Sequence, residues 1–207
     1  MHMIDIPTEL RSYYSAKTQP EIVEIEEFNY LSILGSGSPG TNIFYQKKKA
    51  ILEFVIQLQN QFKGTQRSFK NDIVEIFYWF DDKEGFVDIG DFYTTVDLDL
   101  LHYRIAVLIP DFVTEEDIKI TAATSNDVSF TKEFKLFTYT AGKSVQLMHL
   151  GPLAGELETL PILQDFATGN NLVKSGMHHE IHLTHFEKGQ SQQHLKTILR
   201  DPVKSIK

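Results

Sequence analysis

The chain has 207 residues and a mass of 23.8 kDa, enough for one compact domain that buries roughly 70% of its unfolded surface. Hydrophobic residues make up 42% and charged residues 23% of it, which excludes the disordered, collagenous and membrane-embedded classes. Twenty Lys and Arg against twenty-eight Asp and Glu leave a formal charge of −8, which repels phosphate backbones and argues against nucleic-acid binding. Cysteine is absent, so disulfides, thiolate nucleophiles and cysteine-ligated metals are excluded. No run approaches the roughly 18 apolar residues of a membrane span, and a cytoplasmic location is expected.

Residues 21–34 alternate apolar and polar side chains in two pieces and predict strands. Gly35, Gly37, Pro39 and Gly40 break the chain, with Thr41 or Asn42 placed to cap a helix. From Ile43 to Phe62 the apolar residues Phe44, Ile51, Phe54, Val55, Leu58 and Phe62 recur at helical spacing and predict a long amphipathic helix. Asp72 to Phe80 (DIVEIFYWF) and His102 to Ile109 read as strands, separated by an acidic insertion. Thr114 to Ala123 reads as a helix capped by Thr114, with acidic residues in its first turn.

The second half repeats the plan. Strands are expected at Phe134–Tyr139 and Val145–Leu150, a Gly151-Pro152 break, a helix over Leu157–Ala167, then strands at Leu172–Val173, Met177–Thr184 and Thr197–Arg200. Strand, turn, helix, strand, strand thus occurs twice, and two related halves packed together leave a cleft on their shared axis.

Four histidines, His178, His179, His182 and His185, crowd one segment. On a strand the step from His178 to His182 spans about 13 Å, too far for both to hold one ion, so no metal site is expected. Glu180 sits mid-strand with no Lys or Arg within five residues on either side. Two readings stand: His178, Glu180 and His182 share a solvated face, or Glu180 is a buried carboxylate, poised to take a proton or to meet a cation. On the strand 75–80, Glu75, Phe77 and Trp79 point one way and Tyr78 and Phe80 the other, as core or as a pocket wall for flat cations. The turn GSGSPG lacks the spacing of a dinucleotide or P-loop cradle, and no cofactor is expected. Lys47, Lys48 and Lys49 read as a solvated helix face.

Several strings together resemble the GyrI-like small-molecule-binding family over nearly the whole chain: Tyr14 with Lys17-Thr18-Gln19-Pro20, YLSILGSGSP at 30–39, PDFVTEE at 110–116, QLMHLGPL at 146–153, HHEIHL at 178–183 and LKTILRDPV at 195–203. The resemblance implies an α+β fold of duplicated βαββ units, about 20–110 and 130–203, within a single domain over 1–207. These form an antiparallel sheet with helices on one face and an aromatic-lined cleft between the halves. It also implies a central glutamate, Glu180. Relatives carry E-G-L-W-W where this chain has Glu75-Ile76-Phe77-Tyr78-Trp79, so the acid and the last tryptophan are kept. The regulators of the family add a DNA-reading helix-turn-helix, and the residues before Pro20 are too few to hold one.

The function this implies is binding of amphipathic, often cationic, aromatic compounds by Glu180, Trp79, Tyr78, Phe77, Glu75, Tyr14, Met148, His178, His182 and Phe112. The alternative, resembling a subset of the family, is hydrolysis of cyclopropanoid genotoxins, with Glu180 as general base and Tyr78 or Tyr14 donating to the oxyanion. Monomer and homodimer fit the sequence equally.

Overall fold

The computed structural model describes Ile6, residues 8–125 and residues 129–206. Seven strands and three α-helices run in chain order as β1 (Glu21–Ser36), α1 (Asn42–Phe62), β2 (Val74–Trp79), β3 (His102–Ile109), α2 (Glu115–Thr124), β4 (Lys135–Leu150), α3 (Glu156–Gly169), β5 (Leu172–Lys174), β6 (His178–His182) and β7 (Lys196–Ser205). The expected strand pairs at 21–34 and 134–150 are in fact two continuous strands of 16 residues each. They pair antiparallel from Glu21↔Gln146 to Ser32↔Lys135, and each then reaches a second partner, β1 with β3 and β4 with β7. A single pair of strands thus serves both halves, and local alternation could not show that the pieces are joined.

All pairings are antiparallel, in the order β4-β1-β3-β2-β6-β7-β5, and β4 also pairs with β7. Six strands therefore close into a ring, which removes open edges from all but short β5. The inside of the ring is identified by contacts between strands that are not neighbours. Phe77 of β2 meets Tyr30 of β1 at 5.3 Å and Phe137 of β4 at 5.5 Å between ring centroids. Tyr13 and Tyr14, from the segment before β1, complete this inner cluster with Ile73, Ala106, Leu108, Ile181 and Ile198.

The outer face carries the helices. Phe44, Ile51, Phe54, Val55, Leu58 and Phe62 of α1 are buried against Leu31, Ile33, Ile76, Ile105 and Val107, and α3 adds Leu160, Leu163 and Ala167. Each fully buried large apolar side chain contributes roughly 1.5–3 kcal/mol, so the helix stripe and the odd residues of β3 select this face. Thr41 caps α1 by accepting from the Phe44 amide at 3.4 Å. The expectation of a solvated Lys47-Lys48-Lys49 face is corrected: Lys47 and Lys48 are buried and only Lys49 is exposed. Lys47 is drawn in by Leu34 O at 2.7 Å and Glu133 at 2.6 Å.

Helix α2 opens on a capping box. The Asp117 amide donates to Thr114 Oγ1 at 3.3 Å, and the Thr114 amide donates to Asp117 Oδ2 at 2.9 Å. Thr114→Ala removes one half of this exchange and is expected to cost about 1 kcal/mol, read as a lower denaturant midpoint at unchanged slope.

Candidate functional site

Strand β6 decides the site because its two faces carry different chemistry. It pairs with β2 through Ile76↔Glu180 and Tyr78↔His178, and with β7 through Glu180↔Leu199. The even residues His178, Glu180 and His182 point toward the helices, while His179 and Ile181 point into the ring. All five are buried, so the solvated-face alternative does not hold.

Glu180 lies where the two halves meet, beside Lys48 of α1 and Glu156 at the start of α3. Its Oε2 accepts from His182 Nε2 at 2.8 Å, and its Oε1 accepts from the hydroxyl of Tyr93. His178 Nε2 stands 3.9 Å from Oε1. Lys48 Nζ is 3.2 Å from His182 Nδ1. With the ammonium donating to Nδ1, the ring proton sits on Nε2 and is donated to Glu180. Burial pushes the Glu180 carboxyl up, but His182, His178 and Tyr93 outweigh it and hold it at about 2. Burial and the Glu180 charge push Glu156 the other way, well above the usual carboxylate range. Two neighbouring acids are therefore set apart, one ionised and one protonated. Burial lowers Lys48 to about 8, and Glu180 opposes that shift.

A second histidine is oriented from behind. Asp201 Oδ2, wholly buried, lies 2.9 Å from His178 Nδ1, and Lys174 Nζ lies 3.7 Å from its other oxygen. With Nδ1 bonded to Asp201, Nε2 is left buried and without a hydrogen-bond partner. Aromatic rings enclose the group. Phe92 stands 4.8 Å and Tyr93 5.7 Å from the His178 ring, and Phe186 5.8 Å from that of His182. Phe92 and Tyr93 belong to the acidic insertion between β2 and β3, and Phe186 to the connection between β6 and β7.

The depressed Glu180 carboxyl links stability to pH. Its ionised form stabilises the fold fully above the ordinary value of 4.5, and that contribution is lost as pH falls through about 2. Denaturant midpoints are expected to drop across this window in the wild type and to drop less in Glu180→Gln.

The expected site residues separate into groups. Glu180, His178, His182 and Tyr78 share the outer face. Glu75, Phe77 and Tyr14 lie inside the ring instead, where Glu75 accepts from Tyr13 at 2.6 Å, Tyr14 at 2.8 Å and His179 Nε2 at 2.8 Å. Met148 borders that inner cluster. Trp79 ends β2, stacked on His102 at 5.7 Å, and with Tyr78, Phe80, Phe86 and Phe92 lines a cavity of about 560 Å³. Phe112 packs with Phe62 and Phe69 away from Glu180. Sequence reasoning did not find Tyr93, Lys48, Glu156, Asp201, Phe92 or Phe186. The single available signal was charge inside a buried helical stripe, at Lys48.

No protein-family model matches the sequence. No curated protein matches it either. Among solved structures, an uncharacterised conserved protein from Listeria innocua is 27% identical, with a TM-score of 0.77 over 95% of this chain and 97% of its own. A hydrolase from the same organism is 26% identical, with a TM-score of 0.78 and the same coverage. The C-terminal domain of EcmrR is 14% identical, with a TM-score of 0.57 over 91% of this chain and 98% of that domain. The chain has the GyrI-like fold. Within this fold the acid of HHEIHL faces the helices, and the acid of the segment aligned with E-G-L-W-W lies inside the ring. Among the described residues no helix is long and apolar enough to cross a membrane.

Proposed function

We propose that the protein binds amphipathic aromatic small molecules, cationic ones included, at the seam between its halves, with Glu180 as the charged anchor. One observation supports this above the rest: an ionised carboxylate, 3% exposed, has one oxygen held by His182 of its own strand and the other capped by a tyrosine hydroxyl from a connecting segment. A ligand that replaces Tyr93 gains a desolvated anion and the faces of Tyr78, Phe92 and Phe186, which together favour flat cations. The cavity of about 560 Å³ lined by Tyr78 and Phe92 has the size of a small-molecule site and adjoins this group, although Glu180 is not among its lining residues. Titration with a fluorescent rhodamine cation and with an uncharged analogue of the same ring system tests the reading. Saturable binding that prefers the cation supports it, whereas equal affinities remove Glu180 as the anchor.

A second reading, hydrolysis, is favoured by the Asp201–His178 pair and by the full-length likeness to the Listeria hydrolase. Glu180, held at about 2, accepts protons poorly, and in this reading His178, oriented by Asp201, takes the base role through Nε2, with Glu180 orienting the water. The Tyr78 hydroxyl is the donor available on this face, since Tyr14 bonds Glu75 on the other. A spirocyclopropane alkylator serves as probe substrate. Ring-opened product that disappears in His178→Gln supports the enzyme, and undiminished turnover in that variant sinks this assignment.

A further inference from the structure

Arg200 of β7 is 1% exposed, yet among the described residues it forms no ion pair within 4.0 Å. Its Nε donates to Gln146 Oε1 at 2.9 Å, its Nη2 donates to the Tyr13 carbonyl at 2.7 Å, and its guanidinium lies 4.5 Å from the Tyr13 ring centroid. The remaining nitrogen, Nη1, is buried with no partner. The nearby acids are already engaged. Glu75 receives Tyr13, Tyr14 and His179, and Glu21 receives Gln146 at 3.1 Å and Lys17 at 3.0 Å. A buried cation without a counter-charge is costly in a folded chain, and such groups are ordinarily paired.

A cavity of about 600 Å³ borders this residue, bounded by Arg200, Gln146 and Tyr13, with Val23, Ile25 and Phe28 among its apolar walls, and Nη1 itself is covered from it. Its size and its few converging polar groups match small-ligand sites. It lies at the ring and not among the helices, so it is separate from the seam around Glu180. Glu24 and Glu26, both exposed, also line it.

From this arrangement we infer that the cavity is a second binding site, for small carboxylates carrying an apolar body, with the ligand carboxylate displacing the cover over the guanidinium and bonding Arg200 Nη1. A guanidinium with a free nitrogen provides a charge-assisted bond to one carboxylate oxygen, and Gln146 and Tyr13 hold the fork in place. The acidic rim sorts ligands by their outer end. A bare aromatic acid meets mild repulsion there, while an amine next to the carboxylate faces Glu24 and Glu26 and adds attraction. Zwitterions of the amino-acid type are accordingly the best fit.

Calorimetric titration of the whole chain at low ionic strength with phenylacetate, L-phenylalanine and phenethylamine tests the site. The first two are expected to bind saturably, phenylalanine a few-fold tighter, and phenethylamine not to saturate. Arg200→Gln is expected to weaken both acids by at least about tenfold, while Glu180→Gln binds them as the wild type does. Absence of saturable binding by either acid, or binding of phenethylamine as tight as that of phenylacetate, overturns the inference. Should Arg200→Gln not fold, Ile25→Trp, at a half-buried wall position, fills the cavity. It must cause the same loss of phenylacetate binding at an unchanged unfolding midpoint, and retained binding there also overturns the inference.

Discussion

Glu180→Gln is expected to weaken binding of a lipophilic aromatic cation by about 10- to 100-fold at neutral pH, the range set by losing one charge-assisted contact in a desolvated site. Glutamine keeps the shape, but its single carbonyl oxygen can accept from Tyr93 or from His182 and not from both, so the loss combines the charge with one hydrogen bond. Lys48 sharpens the result. In the wild type its ammonium is part of the chain Lys48, His182, Glu180, and once the carboxylate is neutral the same ammonium repels an incoming cation. Binding of the uncharged analogue should change less than about threefold. Fluorescence titration of both dyes against both proteins reads the difference, and a variant that holds the cation as tightly as the wild type contradicts the anchor role.

The largest effect on stability is expected from Gly35→Ala. Gly35 lies opposite Tyr103 in the β1–β3 pair, and the tyrosine ring covers it so closely that an added Cβ would overlap the ring itself. Tyr103 has no room to retreat, being 1% exposed and packed at 5.1 Å against Phe44 of α1. The variant is expected to lose about 3 kcal/mol, the upper end of overpacking costs, measured as a shift in denaturant midpoint. Combining it with Tyr103→Ala should cost less than the two separate losses added together, because the second change removes the clash created by the first. Strict additivity would show that the ring is not the obstacle.

The sequence made much of this architecture readable, because the helical stripe of α1, the β-branched and aromatic run of β2 and the Thr114 cap are local patterns with one physical solution each. Duplication was visible for the same reason: turn, helix and strand signals recur in the same order. Less was readable where the signal is not local. Strands β1 and β4 looked broken because each changes partners along its length, and the residue pattern tracks the partner. Lys48 looked solvated because a lysine on a helix usually is, and its true partner, His182, lies 134 residues away. Tyr93 sat in a stretch with no periodicity, so nothing in it marked the residue that closes over Glu180.

By itself the sequence marked the strands, helices and their repeated order, which depend on spacing, and singled out Glu180 as a candidate through the family resemblance and the cost of burying a carboxylate. Only the tertiary structure decided which acid belongs to which face, because a strand turns alternate residues to opposite sides and burial of both sides leaves no polar side to mark the difference. Glu75 and Glu180 appear equivalent in one dimension. Closure of the ring through β4 and β7 puts the first among tyrosines inside it and the second between the helices, and that separation makes Glu180 the acid at the seam.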